Sequence, residues 1–122
     1  MKIYESAQDY LETILVLSNT HKIVRSIDIA NHMKLTKQSV HRAVKNFHEN
    51  NLIDINEKGH ITLTEQGKEI ATRIYEKHLA ISKFLTKLGV SEETALEDAC
   101  KIEHDISEET FNAIKEFIKE KE

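Results

Sequence analysis

A mainly α-helical chain broken once by a short β-hairpin is what three features of the sequence predict. Apolar residues recur at alternating spacings of four and three near the start (Ile3, Ala7, Tyr10, Ile14, Leu17) and again from Ile70 to Leu88, the pattern of helices with one buried face. Between these stretches, "LIDINEKGHITLT" changes to period-two alternation around a glycine. The chain contains no proline, so no helix is broken from within by a missing N–H.

Taken in order, helix 1 runs over residues 3–18, and the polar run "SNTHK" is expected to end it. A short second helix covers "IDIANHM" with Ser26 as its N-cap. Thr36 caps a third helix that buries Val40, Val44 and Phe47 and stops at "ENN". Two short helices joined by about three residues make a helix-turn-helix. The hairpin follows directly, with Leu52, Ile53 and Ile55 on one side of a turn at Glu57–Gly59, and Ile61 and Leu63 alternating with Thr62 and Thr64 on the other. A hairpin in that place is the wing of a winged helix-turn-helix domain, set at residues 1–65. Residues 66–122 are read as all-helical: a long helix from Gly67 closed by Gly89, a helix from the Ser91 cap through His104, and a last helix capped by Ser107 with Phe111, Ile114 and Phe117 or Ile118 inward.

Composition narrows the function classes. A chain of 122 residues with 39% hydrophobic and 31% charged residues is globular, and no apolar run approaches the ~18 to 20 residues that cross a bilayer. The start lacks the basic flank and apolar core of a secretory signal, and one cysteine cannot form an internal disulfide, so a cytoplasmic protein is expected. The formal net charge of −4 is unevenly placed. Basic and acidic residues balance over 1–65, which also hold five of the seven histidines, and acidic residues are in excess after that. A front half that meets an anion and a back half that meets cations or another subunit fit this division.

Two sets of side chains carry chemistry. The exposed side of the third helix presents Lys37, Gln38, Ser39, His41, Arg42 and Lys45, donors suited to phosphates and base edges. Ser26 and Thr36 at the helix starts and Lys58 in the hairpin turn extend this candidate DNA-binding face. In "ACKIEHDISEE", Cys100, Glu103 and His104 stand at i, i+3 and i+4, one face of a helix. His78 occupies a place in the long helix where the stripe calls for Ile or Leu, and Asp9 and Glu12 share a face of helix 1. Each has a plainer reading: a buried cysteine, a hydrogen-bonded core histidine, a capping box of Ser6 with Asp9, a solvated glutamate. Together they offer six metal donors on three helices.

The order of elements and this donor set resemble the diphtheria toxin repressor family of metal-dependent transcriptional regulators, whose branches include the iron-dependent repressors and the manganese transport regulator MntR. The stretches that carry the resemblance are "AQDYLETILVL", "VRSIDIANHMKLTKQSVHRAVKNF", "ITLTEQGKEIA" and "YEKHLAISKFLTKLGVSEETALEDACKIEHDIS". It implies an N-terminal winged helix, then a helical domain that dimerises and binds a divalent metal between its helices and helix 1. By position, Asp9, Glu12, His78, Cys100, Glu103 and His104 match that family's ligands, with the manganese-type Asp9 and Glu12 joined to the iron-type Cys100. Ser82 and Leu96 stand where the iron-type repressors place an acid and a histidine of an ancillary site, and no such site is expected here. A third, SH3-like domain is not expected either, the sequence stopping at Glu122.

The implied activity is that of a repressor that binds a pseudo-palindromic operator in double-stranded DNA as a homodimer when it holds a divalent transition metal. Fe²⁺ and Mn²⁺ are the expected cofactors and Co²⁺, Ni²⁺ or Zn²⁺ the surrogates, the thiolate tilting preference toward softer ions. Two other classes compete. A small metal-dependent hydrolase would need an open metal position and a pocket-forming loop, which so short a chain does not display. A winged-helix regulator answering to a small molecule or a partner protein would leave the six donors as ordinary polar groups.

Overall fold

The computed structural model describes residues 5–20 and 23–120. Ile3 and the Ser6 side chain, which entered the reading of helix 1, lie outside what is described. The chain forms two compact units, residues 1–72 and 73–122, with the division inside one long helix.

The first unit begins with α1 (Glu5–Thr20), α2 (Ser26–Met33) and α3 (Lys37–Glu49). α1 extends past the predicted stop at residue 18, and its terminal hydroxyls bond back along the helix: Ser18 Oγ donates to the Ile14 carbonyl at 2.7 Å and Thr20 Oγ1 to Val16 at 3.1 Å. Ser26 is not the cap of α2 but its first residue. Arg25, in extended conformation, takes the cap position, and its N–H donates to the Asp28 carboxylate at 2.8 Å, the acidic half of a capping box. Lys34 ends α2 in the left-handed region (φ 57°), and Leu35 N–H closes the turn on the Ala30 carbonyl at 3.0 Å. Thr36 caps α3 as predicted, accepting from Ser39 N–H at 3.1 Å.

The hairpin pairs β1 (Ile53–Ile55) with β2 (Ile61–Leu63), in antiparallel register Ile53 to Leu63 and Ile55 to Ile61. Asn56 shapes its turn by accepting from both Lys58 and His60 N–H at 2.9 Å, and Gly59 takes φ 77°. Ile61 N–H also reaches the Val24 carbonyl at 2.8 Å, so the hairpin is stitched to the segment that leads into α2. Leu11, Ile14, Ile29, Val40, Leu52 and Ile53 are fully buried in this unit, with Tyr10 and Phe47 edge to face at 5.8 Å.

The long helix, α4 (Glu65–Lys87), starts two residues before Gly67. Thr64 Oγ1 accepts from Gly67 N–H at 3.1 Å and donates to the Asn51 carbonyl at 2.7 Å, which moves the helix start ahead of the glycine. Gly67 is required for closeness: a Cβ there would lie 2.0 Å from the Leu52 carbonyl oxygen.

In the second unit α4 continues to a stop at Gly89 (φ 108°), followed by α5 (Glu92–Ile102) and α6 (Glu108–Glu120). Ser91 and Ser107 cap these as predicted, accepting from Thr94 and Thr110 N–H. Ile74, Ile81, Ala95, Ala99, Phe111 and Ile118 form the buried set. Leu88, read as the last member of the buried stripe, is 60% exposed because the α4 backbone is already turning into the Gly89 cap there. Ile118 rather than Phe117 points inward, and Phe117 packs edge to face on Phe84 at 5.5 Å.

Candidate metal centre and nucleic-acid interface

α5 ends at Ile102, so Glu103 and His104 are not on the predicted helical face. Glu103 is its C-cap and keeps helical dihedrals (φ −56°, ψ −24°), which preserves its relation to Cys100; His104 lies in the turn beyond. Beyond the helix, Glu103 N–H still donates to the Ala99 carbonyl and Asp105 N–H closes a turn on Ile102, each at 3.0 Å.

This geometry brings four predicted residues of the second unit together. His78 Nδ1 lies 3.0 Å from Glu103 Oε2 and 3.8 Å from Cys100 Sγ, and His104 Nε2 is 3.5 Å from Glu103 Oε1. The donor atoms of His78, Cys100 and Glu103 all fall within 4.8 Å of one another. Neighbouring donors around one ion, at bond lengths of about 2.0 to 2.3 Å, stand about 3 to 4 Å apart, so the spacing suits a shared ion. Cys100 is exposed, which removes the plainer reading of a small buried hydrophobe.

Glu103 decides what the cluster needs. It is 2% exposed, and Oε1 has no hydrogen-bond donor among the described residues. A buried carboxylate oxygen left without a donor costs on the order of 1 to 3 kcal/mol or more, and such groups persist where a cation supplies the missing partner. Thiolate, imidazole and carboxylate together fit a divalent transition metal and disfavour Mg²⁺ and Ca²⁺. Asp9 and Glu12 are half-buried on α1 in the first unit, three residues apart on one face. Ser82 on α4 is 9% exposed and Leu96 on α5 is 42% exposed.

The candidate DNA-facing set divides by position. Ser26, Lys37, Gln38, His41 and Arg42 line one open groove of about 810 Å³ between the start of α2 and α3. Thr36 and Ser39 are engaged with each other, their hydroxyls 2.9 Å apart, so they hold the start of α3. Lys45 is exposed further along α3, and Lys58 lies at the hairpin turn beside His60. Tyr10 is pushed up in pKa by burial, against the pull of the nearby Arg42 charge. Two residues near this face were missed. Arg25 Nη2 meets His60 Nε2 at 3.2 Å, and Ile27 forms a wall of the groove; neither has a periodic signal in so short a helix.

Comparison with known proteins settles the family. The model of the iron-dependent repressor N-terminal DNA-binding domain matches residues 2–61, and that of the iron-dependent repressor metal-binding and dimerisation domain matches residues 64–122. The chain belongs to the iron-dependent repressor family. An HTH-type transcriptional regulator of Methanocaldococcus jannaschii is 34% identical over 116 residues, covering 93% of each chain. The transcriptional regulator MntR of Escherichia coli is 33% identical over 113 residues, covering 93% of this chain and 73% of that one. Among solved structures, the manganese regulator SloR aligns with a TM-score of 0.81 at 26% identity and the T. acidophilum IdeR with 0.79 at 27%. The alignments take in 98% and 95% of this chain but only 55% and 54% of those, so the chain spans about half the length of these solved relatives. Iron-dependent repressors are metal-dependent transcriptional regulators, and this member has both the DNA-binding and the metal-binding and dimerisation domains. No described helix is long and apolar enough to cross a membrane.

Proposed function

We propose that this iron-dependent repressor family member is a cytoplasmic repressor that binds a pseudo-palindromic operator as a homodimer when its second domain holds Fe²⁺ or Mn²⁺. The observation that carries the reading is the buried Glu103 carboxylate, with an oxygen lacking a donor, beside His78 and Cys100. These three residues and His104 would hold the ion, with Asp9 and Glu12 of α1 supplying the remaining donors. A bound ion would supply the positive charge that keeps the exposed Cys100 thiol as thiolate and stabilises the buried Glu103 carboxylate. Asp9 and Glu12, once engaged, restrain the DNA-binding domain, so the geometry in which two α3 helices fit successive major grooves is more populated. We keep the functional boundary at 65/66, one residue into α4, although the compact units divide further along that helix, at 72/73.

The second copy has an identifiable seat. Phe84, Leu88, Ala113, Ile114 and Phe117 line an open, largely apolar groove of about 460 Å³ in the second unit, and Leu88 and Phe117 are exposed. Such a face on a dimerisation domain suits an isologous twofold contact. The chain is taken as a regulator, with no enzymatic role.

Metal content and operator binding measured on one anaerobically purified sample test the proposal. Removal of metal by a chelator should abolish specific DNA binding, and Fe²⁺ or Mn²⁺ should restore it. Specific binding that persists in the metal-free protein would overturn it.

A further inference from the structure

The groove on the DNA-facing side contains a residue that folding does not explain. α2 buries Ile29 and Ala30, at 0% and 5% exposure, yet Ile27 on the opposite side is 42% exposed. It is a branched apolar side chain one position into a helix whose first turn also holds Ser26 and Asp28. A scattered exposed isoleucine needs no explanation. Ile27, however, is a wall of the groove whose other described walls are Ser26, Lys37, Gln38, His41 and Arg42, all polar or charged.

We infer that Ile27 is a specificity-determining contact that reads the 5-methyl group of a thymine. The inference rests on the DNA-binding reading of this face and names what one part of it recognises. The basic and amide side chains suit phosphate oxygens and base-edge acceptors, and an isoleucine suits neither. The major groove of B-DNA offers one apolar group on its base edges, the thymine methyl, and so one kind of base pair that rewards an apolar wall. Burying one methyl between the two is worth about fourfold in affinity.

The test uses the full chain saturated with Mn²⁺ and a site selected from randomised duplex DNA. Each thymine of that site is replaced in turn by deoxyuridine, which removes only the methyl. In wild type, one replacement per half-site should weaken binding about fourfold. Ile27→Ala should bind the thymine site about fourfold more weakly and be indifferent to that same replacement, while Ile27→Val keeps most of the discrimination. The salt dependence should be unchanged in both, because no phosphate contact is lost. If no deoxyuridine replacement affects wild type, or if Ile27→Ala responds to it as wild type does, Ile27 does not read a methyl. If the chain selects no DNA at all, the DNA-binding reading falls with it.

Discussion

The groove along α3 and the pocket around Glu103 solve opposite problems. The groove is open and its polar side chains reach water, so each is already solvated and each loss is a partial one. The pocket has few donors, and its central carboxylate is buried with one oxygen lacking a hydrogen bond. In the groove, recognition is a sum of small terms; in the pocket, one missing group changes whether an ion is held. Graded responses are therefore expected from α3 and near all-or-none responses from α4 and α5.

The largest break should come at Glu103. Glu103→Gln keeps the shape and removes the charge, and metal affinity should fall by at least about a hundredfold, since even groups that only orient a ligand are worth about ten- to a hundredfold. The metal-free variant should melt close to metal-free wild type, because the carboxamide oxygen of Gln can still accept from His78 Nδ1 where Glu103 Oε2 does now. Isothermal titration and thermal melts check both halves; a variant that binds metal normally would place the ion elsewhere.

Gly67→Ala tests whether the first unit tolerates a shift at the start of α4. With the new Cβ 2.0 Å from the Leu52 carbonyl oxygen, the backbone must move, at a cost of about 2 to 3 kcal/mol. Denaturant unfolding would measure it, and an unchanged midpoint would show that the hairpin gives way freely.

On α3, Arg42→Ala should lose about 1 to 3 kcal/mol of discrimination at one base pair, whereas Lys45→Ala should weaken all sequences alike and lower the salt slope by about one. Binding to a panel of operator variants at several salt concentrations separates the two, and identical behaviour of both variants would erase the distinction between reading and positioning.

The smallest effect belongs to the surface of the second unit. The hydrogen bond from Arg73, helped by Lys77, holds the Glu108 carboxyl below its ordinary range. A depressed folded-state pKa adds stability above the unfolded value, about 4.3, and that stability is lost as pH falls through the folded value. Glu108→Gln should thus melt slightly below wild type at pH 7, and the gap should close as pH falls through the depressed folded-state value, with salt narrowing it at pH 7. A gap that widens in acid would reverse the sign.

Most of the fold was legible because its signals are periodic: the stripe of Val40, Val44 and Phe47, the alternation through the hairpin, and the Thr36, Ser91 and Ser107 caps all appear where the pattern puts them. What was misread depends on competition between neighbouring polar groups. Asp28 takes the Arg25 N–H and so demotes Ser26, and Thr64 starts α4 ahead of Gly67; spacing does not show which partner wins. At the candidate metal centre, residue types and offsets pointed to His78, Cys100, Glu103 and His104, but the helix stops at Ile102 and the grouping arises from the cap and the turn that follow. The unsatisfied oxygen of Glu103 has no sequence signature, since it is defined by what does not surround it.

The central claim is that the Cys100, His78 and Glu103 cluster is the switch for DNA binding. One anaerobic titration tests it: Co²⁺ added to a single sample of protein with fluorescent operator, following the thiolate-to-metal charge-transfer absorption and the operator anisotropy together. Both signals should rise with the same midpoint. In Cys100→Glu the absorption should vanish while operator binding survives and shifts toward Mn²⁺ preference over Co²⁺. Operator binding that saturates in wild type without any charge-transfer absorption would show that Cys100 is no ligand and that the switch lies elsewhere.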